Sequence, residues 1–240
     1  MKVALVLTGY MRNWKDHRDC IKNNIINNYS ADLYITSYTY SQAQIGSPYE
    51  KINVEEVLDF YNPKNYIFRD TETCPNFDFN LPRVEINGRE WSERMIRGWY
   101  TNYLSISLFN FEDYDVIIKS RTDLSVKNFI IDQSKDLVIP AWKVHPGPCD
   151  PDKSYVDYFA YGSAKSMEVY FNLYSKIRDL YENYFDVSLG ETLIKDYLDS
   201  YYKKRIFFDK EIDWMLRDGT WATEQRDLYE RIAPELTLKF

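Results

Sequence analysis

The segment YDVIIKSRTDLSV, Tyr114 to Val126, drives three apolar residues, Val116, Ile117 and Ile118, into three charges at alternate positions, Lys119, Arg121 and Asp123. A short β-branched run of this kind reads as a strand buried on both faces of a parallel sheet. Ligands of open α/β sheets bind outside the carboxyl ends of the strands. The charges that close this strand therefore mark a candidate site. A salt bridge between Arg121 and Asp123 in solvent explains the pair equally well from sequence.

Upstream, KVALVLT is a second nearly continuous apolar run, ending at Gly9. Ile21, Ile25 and Ile26 then fall at helical spacing between Trp14 and Tyr29, and ADLYITSYT alternates as a strand, so the chain opens with a βαβ unit. EEVLDFY reads as a short helix ending before Pro63, NYIFRD as a strand, and 71–88 as a long irregular excursion. From Glu90 to Asn110 a helix aligns Trp91, Met95, Trp99, Tyr103 and Ile106 on a core-facing stripe, with Ile96 and Tyr100 beside it. Downstream, LVIPAW and YVDYFAYGS read as strands, followed by a helix carrying Met167, Tyr170, Tyr174, Ile177, Leu180 and Tyr184. GETLIKDYLDSYY is a further helix before RIFF, a short strand. The expectation is α/β: a single domain, 1–240, with a mixed, mostly parallel sheet flanked by helices.

Composition narrows the chemistry. With 240 residues and 45% hydrophobic content the chain buries a substantial core, and no linker or repeat divides it. A net charge of -7 without a basic run disfavours nucleic acid as a partner. Apolar runs fall far short of the roughly 20 residues of a membrane span, and no leader pattern is present, so the expected location is cytoplasmic. Cys20, Cys74 and Cys149 are widely separated, which suits reduced thiols rather than a zinc cage. No dinucleotide, P-loop, zincin or nucleophile-elbow motif occurs. His17 and His145 are the only histidines, so carboxylates must carry any acid–base chemistry.

Thr8, Gly9 and Arg12 directly follow the first strand, so their turn and the Arg121/Asp123 end would open onto one crevice. Gly9 lets a ligand approach the backbone, Arg12 opposes a phosphate, and Asp123 suits a divalent cation. VALVLTGYMRNW, ADLYITSYT, YDVIIKSRTDL and VDYFAYGSAKSMEVY, taken in order, resemble nucleotide-sugar glycosyltransferases of GT-A type. The nearest groups are WavE-type lipopolysaccharide-synthesis enzymes and related transferases of large DNA viruses. The resemblance implies one GT-A-like domain, with 1–125 as the half that binds a UDP- or GDP-linked sugar and 126–240 as the half that takes a glycan acceptor. It places Thr8, Gly9, Arg12, Arg121 and Asp123 at the donor; Arg94 and Arg97, on the helix before the strand that carries Arg121, are candidates to reach its phosphates, although a solvated helix face is the more ordinary reading of both. It also puts Arg121 where an Asp-x-Asp motif has its first acid, leaving Asp123 to hold Mn²⁺ or Mg²⁺. Asp157, in the stretch Asp-x-Phe-x-x-Gly that ends at Gly162, is the implied base, with a strand-end hydrogen bond as the equal competing reading, and Glu191 matches a later acidic position, although the first turn of a helix explains that Glu better. A sugar- or nucleotide-binding module without turnover and a metal-dependent phosphohydrolase stay open as alternatives.

Overall fold

The computed structural model describes residues 1–41, 49–70, 85–86, 89–140, 155–177, 179–180, 190–209 and 212–215; for 85–86, 89–95, 190–192 and 213–215 it describes the backbone alone. Seven strands form one sheet: β1 Val3–Thr8, β2 Asp32–Tyr38, β3 Asn65–Arg69, β4 Val116–Arg121, β5 Leu137–Pro140, β6 Phe159–Gly162 and β7 Phe207–Asp209. Their order is β7-β5-β6-β4-β1-β2-β3. All run parallel except β6, which is antiparallel to both β4 and β5. The α/β class and the mostly parallel, mixed sheet are as the sequence implies. Both halves of the chain contribute to this sheet.

Helices cover both faces. On one face α1 (Trp14–Ile21) and α2 (Val54–Tyr61) bury Trp14, Ile21, Val57 and Tyr61 against Leu5, Leu7 and Ile35. A π-helical turn, Lys22–Asn27, extends α1 and buries Ile25. On the other face α3 (Trp91–Leu104), α4 (Ala164–Phe171) and α5 (Gly190–Tyr201) pack Trp99, Tyr170 and Leu198 against Val6, Ile117 and Ala160. The second βαβ strand, both central strands and α5 lie where the sequence puts them.

Two expectations change. In α3 the expected Ile96, Trp99 and Tyr100 are buried, whereas Tyr103 is 38% exposed; the side chains of Trp91 and Met95 lie outside the described residues. Thr101 and Asn102 of this helix, and Ser105 just after it, are buried as well, Ser105 meeting Thr36 of β2 across 2.8 Å. The side of the helix that faces the sheet thus carries polar residues beside Ile96 and Trp99. The helix expected through Tyr184 tightens after Phe171 into a 3₁₀ segment, Asn172–Lys176.

Two glycines are required by geometry. Gly9 has φ +94°, in the left-handed region. Gly162 has an ordinary φ, but a Cβ there would sit 2.2 Å from the main-chain oxygen of Asp136, so β5 and β6 approach only over a bare backbone.

Candidate functional site

Beyond β1 the chain runs one way to β2 and β3, and the chain later returns to place β4 on the other side of β1. That reversal opens a crevice at the carboxyl ends of β1 and β4, where α/β sheets bind ligands. Thr8 and Arg121 are register partners at this edge. Because β6 runs backwards, its beginning lies at the same edge. Asp157, two residues before β6, is carried there by the antiparallel strand.

The turn after β1 is stitched to its surroundings. Ser37 donates its hydroxyl to the Gly9 carbonyl at 2.7 Å, and Thr122 donates to the Tyr10 carbonyl at 2.6 Å. Among the described residues nothing lies within 4 Å of the position of a Gly9 Cβ, so the left-handed backbone is uncovered by them. Tyr10 stacks on Tyr38 with centroids 4.9 Å apart, and the Arg12 guanidinium lies 5.1 Å from the Tyr10 ring. Tyr38 donates its hydroxyl to the main-chain carbonyl of Arg97 at 3.3 Å, which brings the second turn of α3 over the end of β2. Arg97 itself is buried.

Arg121 and Asp123 form a two-pronged pair: Nε donates to Oδ1 at 2.8 Å and Nη2 to Oδ2 at 2.6 Å. They do not form a solvated surface bridge, because the Asp123 side chain is only 1% exposed and that of Arg121 is 23% exposed. The guanidinium also lies 4.9 Å from the Tyr158 ring, and the Arg121 amide donates to the Tyr158 carbonyl at 3.1 Å. Burial works against the Arg121 charge, yet Asp123 and then Asp157 raise its pKa further, so the cation is permanent.

Two further groups, His17 and Lys119, stand near this pair. His17, buried on α1, shares a 2.9 Å hydrogen bond between Nδ1 and Ser125 Oγ and lies in the fields of Asp123 and Arg121. Burial lowers its pKa, against the pull of Asp123 and Asp16. Lys119, 3% exposed, points to the same sheet face as Arg121 and donates to the main-chain carbonyl of Asp157. Burial pushes its pKa down to about 8, against the attraction of Asp157 and with the repulsion of Arg121. The alternation of charges after Ile118 was the available signal for Lys119; nothing in the local sequence ties His17 to a turn over 100 residues away.

Asp157 sits within electrostatic reach of Lys119, Arg121 and Tyr170. Its Oδ1 is buried with no hydrogen-bond partner among the described residues. The structure thus brings Thr8, Gly9, Arg12, Arg121, Asp123 and Asp157 to one edge, with the Arg97 main chain above it. Glu191 occupies the first turn of α5, but its side chain, that of Arg94 and all of His145 lie outside the described residues.

Asp123 does not fit the role of a cation ligand. One guanidinium engages both of its oxygens, and it is too enclosed for a hydrated cation to reach. Among the described residues no three His, Cys, Asp or Glu side chains are grouped to hold a metal. No described helix is long and apolar enough to cross a membrane. A scan against protein-family models found no match, and a comparison with curated proteins found no significant relative.

Proposed function

We propose that this protein is a glycosyltransferase that moves a sugar from a nucleoside diphosphate to a hydroxyl of a glycan acceptor. The observation that carries the reading is the presence, at one carboxyl edge of the sheet, of a fixed guanidinium, Arg121, and within its electrostatic reach a carboxylate, Asp157, whose buried Oδ1 has no hydrogen-bond partner among the described residues. The resemblance of four ordered motifs to GT-A-type enzymes supports it.

In an inverting displacement the acceptor hydroxyl gives its proton to Asp157 while its oxygen attacks the anomeric carbon. The bond from that carbon to the diphosphate breaks, and the electron pair leaves with the nucleoside diphosphate. Arg121, with Arg12 across the Gly9 turn, offsets the charge that develops on the leaving group. Such fixed charges act without reorganising during the reaction. The Gly9 turn, uncovered by the described residues, admits the phosphates to the backbone. No step is assigned to a divalent cation, because Asp123 is committed to Arg121.

A donor panel tests the proposal. UDP- and GDP-sugars are incubated with the protein, with and without glycan acceptors, and nucleotide release is measured. Release that depends on acceptor supports transfer. Equal release without acceptor indicates a hydrolase, and binding without release indicates a binding module.

A further inference from the structure

Lys119 lies at the centre of the sheet, on a strand flanked by β1 and β6 and covered by α4. Its register partners are Val6 and Ala160, and Ile117 precedes it on the same face. Every one of these neighbours is apolar. Burying an ammonium among them is costly unless it is paired, and an aliphatic residue would pack the same space without that penalty. Arg121, two residues on, adds a second positive charge to the same face. The presence of lysine therefore needs a polar explanation, and the structure holds one: its Nζ is bonded to the main-chain carbonyl of Asp157.

This bond crosses from β4 to the segment that enters β6. Asp157 itself lacks regular strand pairing, since the ladder between β6 and β4 begins at Phe159. The other main-chain tie nearby is the Arg121 amide on the Tyr158 carbonyl. Lys119 thus holds the peptide from which the Asp157 carboxylate projects. Tyr170, on α4, lies in the field of Asp157, yet its buried hydroxyl has no hydrogen-bond partner among the described residues, so it does not share this task.

We propose that Lys119 is a positioning residue whose buried ammonium fixes the Asp157 segment at the crevice, beside Arg121. The consequence for catalysis rests on the glycosyltransferase reading, in which Asp157 is the base; the structural part does not.

Two measurements on the full chain separate these parts. Amide hydrogen exchange is followed across 155–162 in the parent, Lys119→Met and Tyr170→Phe. Lys119→Met should exchange at least about tenfold faster there while Tyr170→Phe matches the parent, a local opening of the kind exchange resolves. Unchanged exchange in Lys119→Met overturns the proposal. With a nucleotide-sugar donor, Lys119→Met should lower kcat by roughly 10²-fold, the low end for losing a general base, with donor KM held within about threefold. The double variant Lys119→Met/Asp157→Asn should be no slower than the slower single one. Multiplying losses would show that Lys119 acts apart from Asp157 and would overturn the proposal. If the parent consumes no donor while Lys119→Met loosens 155–162, the transferase reading falls and the positioning role stands. Lys119→Gln, which keeps a shorter donor, serves in the same tests should the methionine variant not fold.

Discussion

Asp123 holds a guanidinium with both oxygens while almost fully enclosed, so its replacement should register as a broken buried pair. Asp123→Asn is expected to lower stability by about 3 kcal/mol, the low end for stranding one partner of such a pair, because Arg121 keeps some contact with water. Nucleotide binding by the parent should survive a chelator. Calorimetry of UDP and GDP binding with and without EDTA checks this, and affinity that vanishes with EDTA would restore a cation to the site. Arg12, by contrast, lies beside the open Gly9 turn. Arg12→Ala should weaken nucleotide binding by roughly 1.5 to 3 kcal/mol, the range for a hydrogen bond to a charged group. His17 supplies a pH signature. Its folded pKa is below 6.5, so as pH falls through that value the unfolded chain takes up a proton that the folded protein refuses, and stability drops. His17→Gln, which can keep the bond to Ser125, should flatten the loss between pH 7 and 5 in denaturant titrations.

At the level of elements, β6 decides what stands at the crevice. Its antiparallel course delivers Asp157 to the carboxyl edge, and Gly162 lets it lie against β5. A methyl group at 162 would collide with main chain, which cannot rotate away as a side chain can. Gly162→Ala should therefore cost about 1 to 3 kcal/mol, the usual range for overpacking, and loosen the Asp157 segment with it. The centre of β4 carries a second pH signature. Lys119 has a folded pKa of about 8 against an ordinary 10.5, so over that interval the unfolded chain holds a proton that the folded protein has shed. Stability contributed at this site rises with pH across the interval, and the cost of the buried ammonium is present in full below it. The difference in unfolding free energy between the parent and Lys119→Met, measured from pH 7 to 10, should show this rise.

For the whole molecule, seven strands drawn from both halves of the chain form one sheet, so ligand binding at its edge should stabilise the cooperative unit. A nucleotide at about a hundred times its dissociation constant should add roughly 2.7 kcal/mol, visible as a shift in melting temperature. The sequence by itself determined β1 and β4, because buried parallel strands need continuous apolar runs and leave that pattern in the residues, and β2 through its alternation, and with them the class of the fold. It also marked the turn at Gly9 and the charges after Ile118, while leaving a solvated salt bridge as an equal explanation of the Arg121 and Asp123 pair. Tertiary structure alone decided their partners. Whether Arg121 and Asp123 meet solvent or each other depends on the enclosure made by α1 and by the segment that enters β6, neither of which is local to the pair. The polar residues buried beside Trp99 on α3, the reversal of β6 and the placing of His17 beside Ser125 depend likewise on contacts between residues far apart in sequence. Periodicity reports which face of an element is apolar; it carries no record of which element lies opposite, and the chemistry of this crevice is made by those opposites.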